Sequence, residues 1–439
     1  SSLAAALRAA GARIAIGHQA ANIAGADLVV RSSAVRSDNL EVQAALAAGI
    51  PVLRREQFLD QLIGRQQAVA IAGTHGKTTT TSMVAWMLTA LGLEPSFVIG
   101  GVAANLGANA HAGAGPHFVI EADEYDRMFH GLHPQVAVVT NLEHDHPDCY
   151  PTGAEYYAAF EQFAAQLQPG GTLVSCADDP GAARLLAHGR AAGQRVLAYG
   201  IDAPGCELQA LAAHANARGG YDFQLQRSGL SAAPVSVSLQ APGLHNVRNA
   251  CAALGVAQAL DLPLEPAAAA LGEFYGAGRR FDVRGEPGGV LLIDDYAHHP
   301  TEIRATLQAA RSRYPKRRIW AAWQPHTYSR LRALFAAFTA AFDNADQVLV
   351  TDVYAARETP PDDGFSAQAV VDALAARLGA GRVHGPLGVA AAHAWLAGAL
   401  QSGDVLLVLS AGDADRVTAG LMEDLPRLSR LAGGGSDGG

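Results

Sequence analysis

Basic residues are scarce: 32 Lys and Arg stand against 41 Asp and Glu in 439 residues, a formal net charge of −9. A surface of that sign excludes a general nucleic-acid or anionic-membrane binder, since both depend on clustered Lys and Arg. One small basic pocket for a phosphorylated ligand remains compatible with it. Cysteine is also rare. Cys149, Cys176, Cys206 and Cys251 show no CxxC spacing, which excludes a zinc ligand set or a dense disulfide framework and fits reduced thiols in the cytoplasm. No apolar run approaches the roughly 20 residues of a membrane span. Residues 1–20 carry Arg8 and Arg13 in an Ala-rich helical pattern without cleavage-site logic, unlike a signal peptide. Tandem repeats and coiled-coil heptads are absent too. What the chain does have is apolar residue, 49% against 17% charged, enough for buried cores.

At about 150 residues per domain, this length suggests three. Residues 1–66 read as a helix over 3–10, strands at 13–16 and 27–32, a helix over 39–48 and a strand at 50–53. In residues 67–276 the strands are expected at 68–72, 117–121, 136–140, 172–175 and 195–199, and period-2 alternation in 221–240 predicts an antiparallel hairpin. A helix over 246–260 follows, capped by the polar run before it. Residues 277–432 repeat the alternation, with strands at 290–293, 319–323, 347–351 and 404–409, a doubly wound α/β pattern. The Gly/Ser/Asp tail, 433–439, is expected to be disordered.

One motif carries the chemistry. The run Ile71-Ala72-Gly73-Thr74-His75-Gly76-Lys77-Thr78-Thr79 sets a glycine-rich turn between a strand and a helix over 80–91. Such a helix start offers unpaired N–H groups and a positive dipole end to an anion. Lys77 supplies a charge for phosphate and the Thr78 hydroxyl a Mg²⁺ ligand. Because Ile71 occupies the position of the first glycine of GxxxxGK[ST], the loop is a compact variant.

Polar residues collect where the later strands end, which is where open α/β sheets bind ligands. Glu121-Ala122-Asp123-Glu124 follows one strand and Asn141 to Asp148 (NLEHDHPD) the next. Thr78, Glu121 and His146 would suffice for Mg²⁺, which keeps waters and phosphates in its shell. Asp123, Glu124, Asp145 and Asp148 read equally well, one by one, as surface or capping acids. His144 and His146 would point to opposite faces of an extended segment, against a shared zinc. In the last domain, Arg279-Arg280-Phe281-Asp282, Asp294 to Pro300 (DDYAHHP) and Gln324 to Arg330 (QPHTYSR) form a similar cluster; caps and inter-domain ion pairs are the competing reading.

Taken in order, GTHGKTTTTS, EADE, NLEHDH, HNVRN, GRRFD, DDYAHHPTE and QPHTYSR resemble the Mur ligases of peptidoglycan synthesis over nearly the whole chain. The resemblance implies an α/β, three-domain architecture: a Rossmann-like UDP-substrate domain, a central P-loop ATPase domain and a Rossmann-like C-terminal domain. It implies an ATP- and Mg²⁺-dependent amide-forming ligase that joins L-alanine to the carboxylate of UDP-N-acetylmuramate through an acyl phosphate. It also implies no nucleic-acid or membrane partner and a monomer or weak dimer. By position, Lys77, Glu121, His146, His299 and Arg330 are the expected catalytic residues. Gly73, Thr74, His75, Gly76, Lys77, Thr78, Thr79, Asn246, Asn249, Arg280 and Asp295 are expected at the nucleotide. Ser32, Ser33, Ala34, Asn105, His298 and Arg332 are expected at the other substrates, and Thr78, Glu121 and His146 at the metal.

Family members begin with a strand and a Gly-rich turn that contacts uridine diphosphate. Residues 1–66 start after such an element, short by about 30 residues, the size of a βα unit. Truncation is the expected reason, and a chain without that unit should bind the UDP-substrate poorly. Two alternatives stay open: a ligase recycling a ready-made tripeptide onto UDP-N-acetylmuramate, toward which EADEYD leans, and a nucleotide-binding module that does not ligate.

Overall fold

A computed structural model describes residues 2–32, 34–229 and 233–433. Its strands fall into three sheets among the described residues, following the chain from front to back. The first is a parallel pair, Val29–Arg31 beside Val52–Arg54. The helix Ser2–Ala9 forms near its expected place, but the strand expected at 13–16 does not. No strand among the described residues lies beside that stretch to pair its backbone, and an unpaired extended segment stays solvated; Ile16 is 86% exposed.

The second sheet has ten strands. Its parallel centre runs Arg195–Gly200, Thr172–Cys176, Val136–Val139, Gln67–Ala72, His117–Glu121, Ser96–Ala103. Leu208–Ala215 extends it in parallel beside Arg195–Gly200, and antiparallel pairs close both edges: Ala108–His111 on Ser96–Ala103 at one, and Tyr221–Arg227 and Val235–Ser238 beyond Leu208–Ala215 at the other. The central strands are buried on both faces and so read as unbroken apolar runs; residues 68–72 are all fully buried. The chain leaves Gln67–Ala72 first toward one side of the sheet, then returns to the other at Val136–Val139. That reversal is a topological switch point, where a crevice opens beyond the strand ends.

The helix after the phosphate loop begins at Lys77 rather than at residue 80, because Gly76 closes the turn itself at φ 82°. Likewise, the helix Leu244–Ala259 is preceded by Gly243 at φ 91° and has no side-chain cap, so the polar run expected to cap it does not. Glycine enters these left-handed conformations without a Cβ penalty.

The third sheet has the order Asp282–Gly285, Leu291–Asp295, Val405–Leu409, Ile319–Trp323, Gln347–Thr351, Val383–Leu387, antiparallel only at its first pair. Alternate residues of Val405–Leu409 feed two cores. Leu407 and Leu409 join Ile303 and Phe342 on one face, while Leu406 and Val408 join Leu396 and Leu421 on the other. That is the period-2 division expected of a sheet covered by helices on both sides.

Candidate active site

The phosphate loop is held shut by its neighbours before any ligand arrives. Thr140 Oγ1 donates to the His75 carbonyl at 2.6 Å, and Asn141 pairs with both backbone groups of His75 at 2.9 Å each. The fit tolerates only glycine. A Cβ on Gly73 would lie 2.0 Å from Thr140 Oγ1, and one on Gly76 would lie 2.7 Å from Asn249 Oδ1. Lys77 folds over the loop, donating to the carbonyls of Gly73 at 2.6 Å and Thr74 at 3.2 Å, and meets Glu124 at 2.8 Å.

Glu124 is wholly buried. Burial alone would raise its pKa, yet Lys77 and then His146 outweigh it and hold the carboxylate below its ordinary value. His146 Nε2 lies 3.4 Å from Glu124 Oε1 and its backbone adopts φ 55°. Glu121 is placed differently. One of its oxygens takes the Thr78 hydroxyl at 3.1 Å and the other the Gly100 N–H at 2.8 Å, and burial, stronger than the pull of Lys77, lifts its pKa. Asp123 and Asp148 prove to be surface residues, paired with Arg55 and Tyr125. His144 is engaged by the Tyr150 carbonyl, away from His146.

The third sheet brings a second set of residues against this one. Arg330 crosses to Asp145, and its Nη1 donates to His326 Nδ1 at 3.3 Å. Burial drives His326 to a pKa of about 4 and His298 to about 3, so both imidazoles are neutral. Beside them, His75 contacts Glu143 at 3.0 Å and Glu302 at 3.4 Å. Burial opposes its charge, but the two carboxylates prevail and raise its pKa to about 9. The Glu143 carboxylate also accepts from the Thr301 hydroxyl at 3.1 Å. His299 packs on His75 with ring centroids 4.7 Å apart and planes tilted by 42°, and burial takes its pKa to about 4.

Behind the loop lies a cavity of about 870 Å³, lined by His75, Gly76, Thr79, Asn246, Asn249, Arg280 and Asp295. The two asparagines stand one turn apart on Leu244–Ala259, with Asn249 Nδ2 donating to Asn246 Oδ1 at 3.0 Å. Arg280 reaches Glu302 at 3.5 Å. Asp295 spends its oxygens on the N–H groups of Phe281 and Ala297 and on the Thr306 hydroxyl.

Four expected substrate residues lie elsewhere. Asn105 is taken up by the connection between the second and third sheets, donating to the Glu273 carbonyl at 2.6 Å and accepting from Tyr275 N–H at 2.7 Å. Arg332 turns outward to Asp363 and Phe365. Ser32 and Ala34 are exposed on the turn after Val29–Arg31, and among the described residues neither hydrogen-bonds to the phosphate loop. Ser33 lies outside the described residues. In the other direction, sequence reasoning passed over Glu143, Glu302 and Asn141 as site residues, and left Glu124 and Asp145 as ordinary acids. The available signal was position, since all but Glu302 follow a central strand directly.

Comparison with known proteins agrees with this geometry. The pattern described as the Mur ligase middle domain matches residues 71–257, that of the glutamate ligase domain 279–412, and that of the Mur ligase family catalytic domain 1–67. A UDP-N-acetylmuramate–L-alanine ligase of Roseiflexus sp. is 45% identical over 428 residues, covering 94% of this chain and 89% of the relative. One from Burkholderia ambifaria is 44% identical, covering 95% and 90%. Among solved structures, a UDP-N-acetylmuramate–alanine ligase from Thermotoga maritima superposes with a TM-score of 0.78 at 28% identity, covering 95% of this chain and 90% of that one. A murein peptide ligase from Psychrobacter arcticus gives 0.69 at 27% identity, covering 96% and 91%.

Proposed function

The chain belongs to the Mur ligase family, and from that premise we propose that it joins L-alanine to the carboxylate of UDP-N-acetylmuramate at the expense of ATP. The carboxylate takes the terminal phosphoryl group of ATP, and the L-alanine amine displaces phosphate from the acyl phosphate to leave an amide, ADP and phosphate. The observation that carries this reading is the seam itself. A phosphate loop with its lysine in place faces, across Asp145 and Arg330, a pair of neutral, half-buried histidines from the other sheet. The relatives at 44–45% identity support L-alanine as the amino acid. The larger structural likeness to the Thermotoga enzyme than to the murein peptide ligase, 0.78 against 0.69, favours it over a tripeptide.

The residues divide the work. Lys77 and the N–H groups at the start of its helix offset charge on the transferring phosphoryl group, and Glu124 fixes where the ammonium sits. Thr78 and Glu121 fit a Mg²⁺ ion. Their oxygens adjoin at 3.1 Å, Glu121 is a half-buried carboxylate whose two described partners are neutral donors, and a Cβ on Gly100 would fall 2.6 Å from its Oε2. His146 would complete the set by exchanging its contact with Glu124. Bound there, Mg²⁺ would supply electrostatic stabilisation of the transferring phosphoryl oxygens. On the amino-acid side, His298 Nδ1 donates to the Tyr296 carbonyl at 3.0 Å, which leaves neutral Nε2 with a lone pair to receive the proton the amine must lose. His326 Nδ1 accepts from Arg330, so its Nε2 carries hydrogen and donates. Closure of the seam excludes water that would hydrolyse the acyl phosphate.

An ADP-release assay with each of Mg·ATP, UDP-N-acetylmuramate and L-alanine omitted in turn tests the proposal. Release that needs all three is expected. Brisk release without the amino acid, or amide formed from tripeptide in preference to L-alanine, would overturn it.

A further inference from the structure

Among the described residues, one trio of metal-ligating side chains lies within a single ion's reach: His75, Glu143 and His299, whose donor atoms all fall within 4.8 Å of one another. None of the three belongs to the Thr78–Glu121 oxygen pair. Glu143 Oε2 stands between the two rings, 3.0 Å from His75 Nε2 and 3.8 Å from His299 Nδ1.

The geometry points to a second cation site here, a two-histidine, one-carboxylate set for a zinc-class transition ion that bridges the central and C-terminal layers. The donors suit that class. Imidazole is a good ligand for zinc and its neighbours in the first transition row, whereas Mg²⁺ prefers oxygen.

The surroundings of His75 supply a second, independent indication. A metal-bound histidine almost always gives its other ring N–H to a carboxylate or carbonyl, which fixes the ring and strengthens the ligand. His75 turns Nε2 toward Glu143 and presents Nδ1 to Glu302 Oε1 at 3.4 Å. Glu302 is itself held, by the N–H groups of His298 and His299 and by Arg280. His299 is already neutral, as a ligand must be, and besides facing Glu143 its Nδ1 accepts one long hydrogen bond, 3.3 Å, from Thr301 N–H at the helix start, which an ion would replace.

Bonds of about 2.0–2.1 Å to a tetrahedral ion would bring the donor atoms to roughly 3.4 Å from one another. Glu143, 43% exposed, has the freedom to make that adjustment. Without an ion, the proton on His75 occupies the same place in the charge balance, so metal and proton compete. An ion bound there ties Glu143 and the phosphate loop to the first turn of the helix Pro300–Arg313, stapling the two layers together.

Cobalt(II) replaces zinc at such sites and reports its ligands by visible absorption. The full chain carrying His146→Ala, which removes the imidazole of the Mg²⁺ site, is titrated with Co²⁺ and no nucleotide. The expected result is one equivalent bound with the intense band of a four- or five-coordinate ion, displaced by Zn²⁺. The band should vanish when His299→Gln or Glu143→Gln is added. Glu302→Gln should weaken binding by about 10–100-fold. Circular dichroism establishes that each variant is folded, and Glu143→Gln, half-exposed and nearly isosteric, is the safer of the two. Absence of the band, or its survival in either first-ligand variant, overturns the site. The readout needs no turnover, so its failure is independent of the ligase reading.

Discussion

Arg330 Nη2 lies 2.9 Å from Asp145 Oδ1, a contact joining residues 185 apart in sequence, and both side chains are more than nine-tenths buried. One residue belongs to the loop after Val136–Val139, the other to the helix Tyr328–Ala333. Burial alone would raise the Asp145 pKa, but His146 and Arg330 hold it well below the ordinary range.

Removing one partner of a buried pair strands the other, at a cost of about 3–5 kcal/mol, whereas replacing both is far cheaper. Asp145→Asn is therefore expected to destabilise the protein by an amount in that range, and Asp145→Asn with Arg330→Met to recover most of it. A double-mutant cycle from urea unfolding measures the coupling. Strictly additive losses would show that the contact carries no energy.

Lys77→Ala should abolish amide formation while leaving the secondary structure intact, and should also lower the melting temperature because Glu124 loses its closest cation. Adding Glu124→Gln is expected to restore stability but no turnover. Calorimetry and the ADP-release assay together separate the two roles of the lysine, and residual ligation by the single variant would refute its assignment.

Asn105→Ala removes two hydrogen bonds to the connection between the sheets, worth about 1–3 kcal/mol together. Since its amide faces that connection rather than a cavity, kcat should fall while KM for UDP-N-acetylmuramate stays put. A rise in KM with kcat unchanged would return this residue to the substrate.

His75 predicts a specific pH dependence. Its pKa rises from 6.5 to about 9 on folding, so its contribution is complete below 6.5 and is lost as pH climbs through 9, on the order of 3 kcal/mol in all. Its partner Glu143, held at about 2, contributes above 4.5 and loses that only as pH falls toward 2. Between 6.5 and 9 this cluster's change therefore belongs to His75. Urea midpoints across that window should decline in the wild type and less steeply in His75→Gln, the remaining slope coming from His146, whose pKa Glu124 and Asp145 also raise; parallel slopes would exclude the histidine.

The parallel strands were legible because burial on both faces writes them as apolar runs: 117–121, 319–323 and 347–351 form where expected. Ser96–Ala103 escaped notice because Gly100 and Gly101 interrupt it, and glycine weakens a strand reading. The first glycine is needed there to admit the Glu121 carboxylate. Glu124 and Asp145 looked like surface acids because acids usually are, and their burial depends on Lys77 and Arg330 arriving from distant positions. The hydrogen bonds of Asn105 are hidden from local pattern for the same reason, since its partners lie at residues 273 and 275. Local pattern conveys which groups can do chemistry, whereas their pairing is a property of the packed seam.

The segment after Phe274 is mechanically part of the central layer: Ala104 N–H bonds the Gly276 carbonyl at 3.0 Å, Gly278 N–H bonds the Val102 carbonyl at 2.8 Å, and Ala103 bridges to Ala277. The third sheet starts at Asp282. Any swing of one layer against the other thus turns on an axle of three residues tied to both, Arg279, Arg280 and Phe281: Arg280 N–H bonds the Ala277 carbonyl at 3.0 Å, Phe281 N–H bonds Asp295 at 2.8 Å, and Arg279 and Phe281 sit at positive φ, 57° and 47°. The middle one lines the cavity behind the phosphate loop. A ligand filling that cavity rests on the axle itself, where small displacements are converted into the largest movements at the rim.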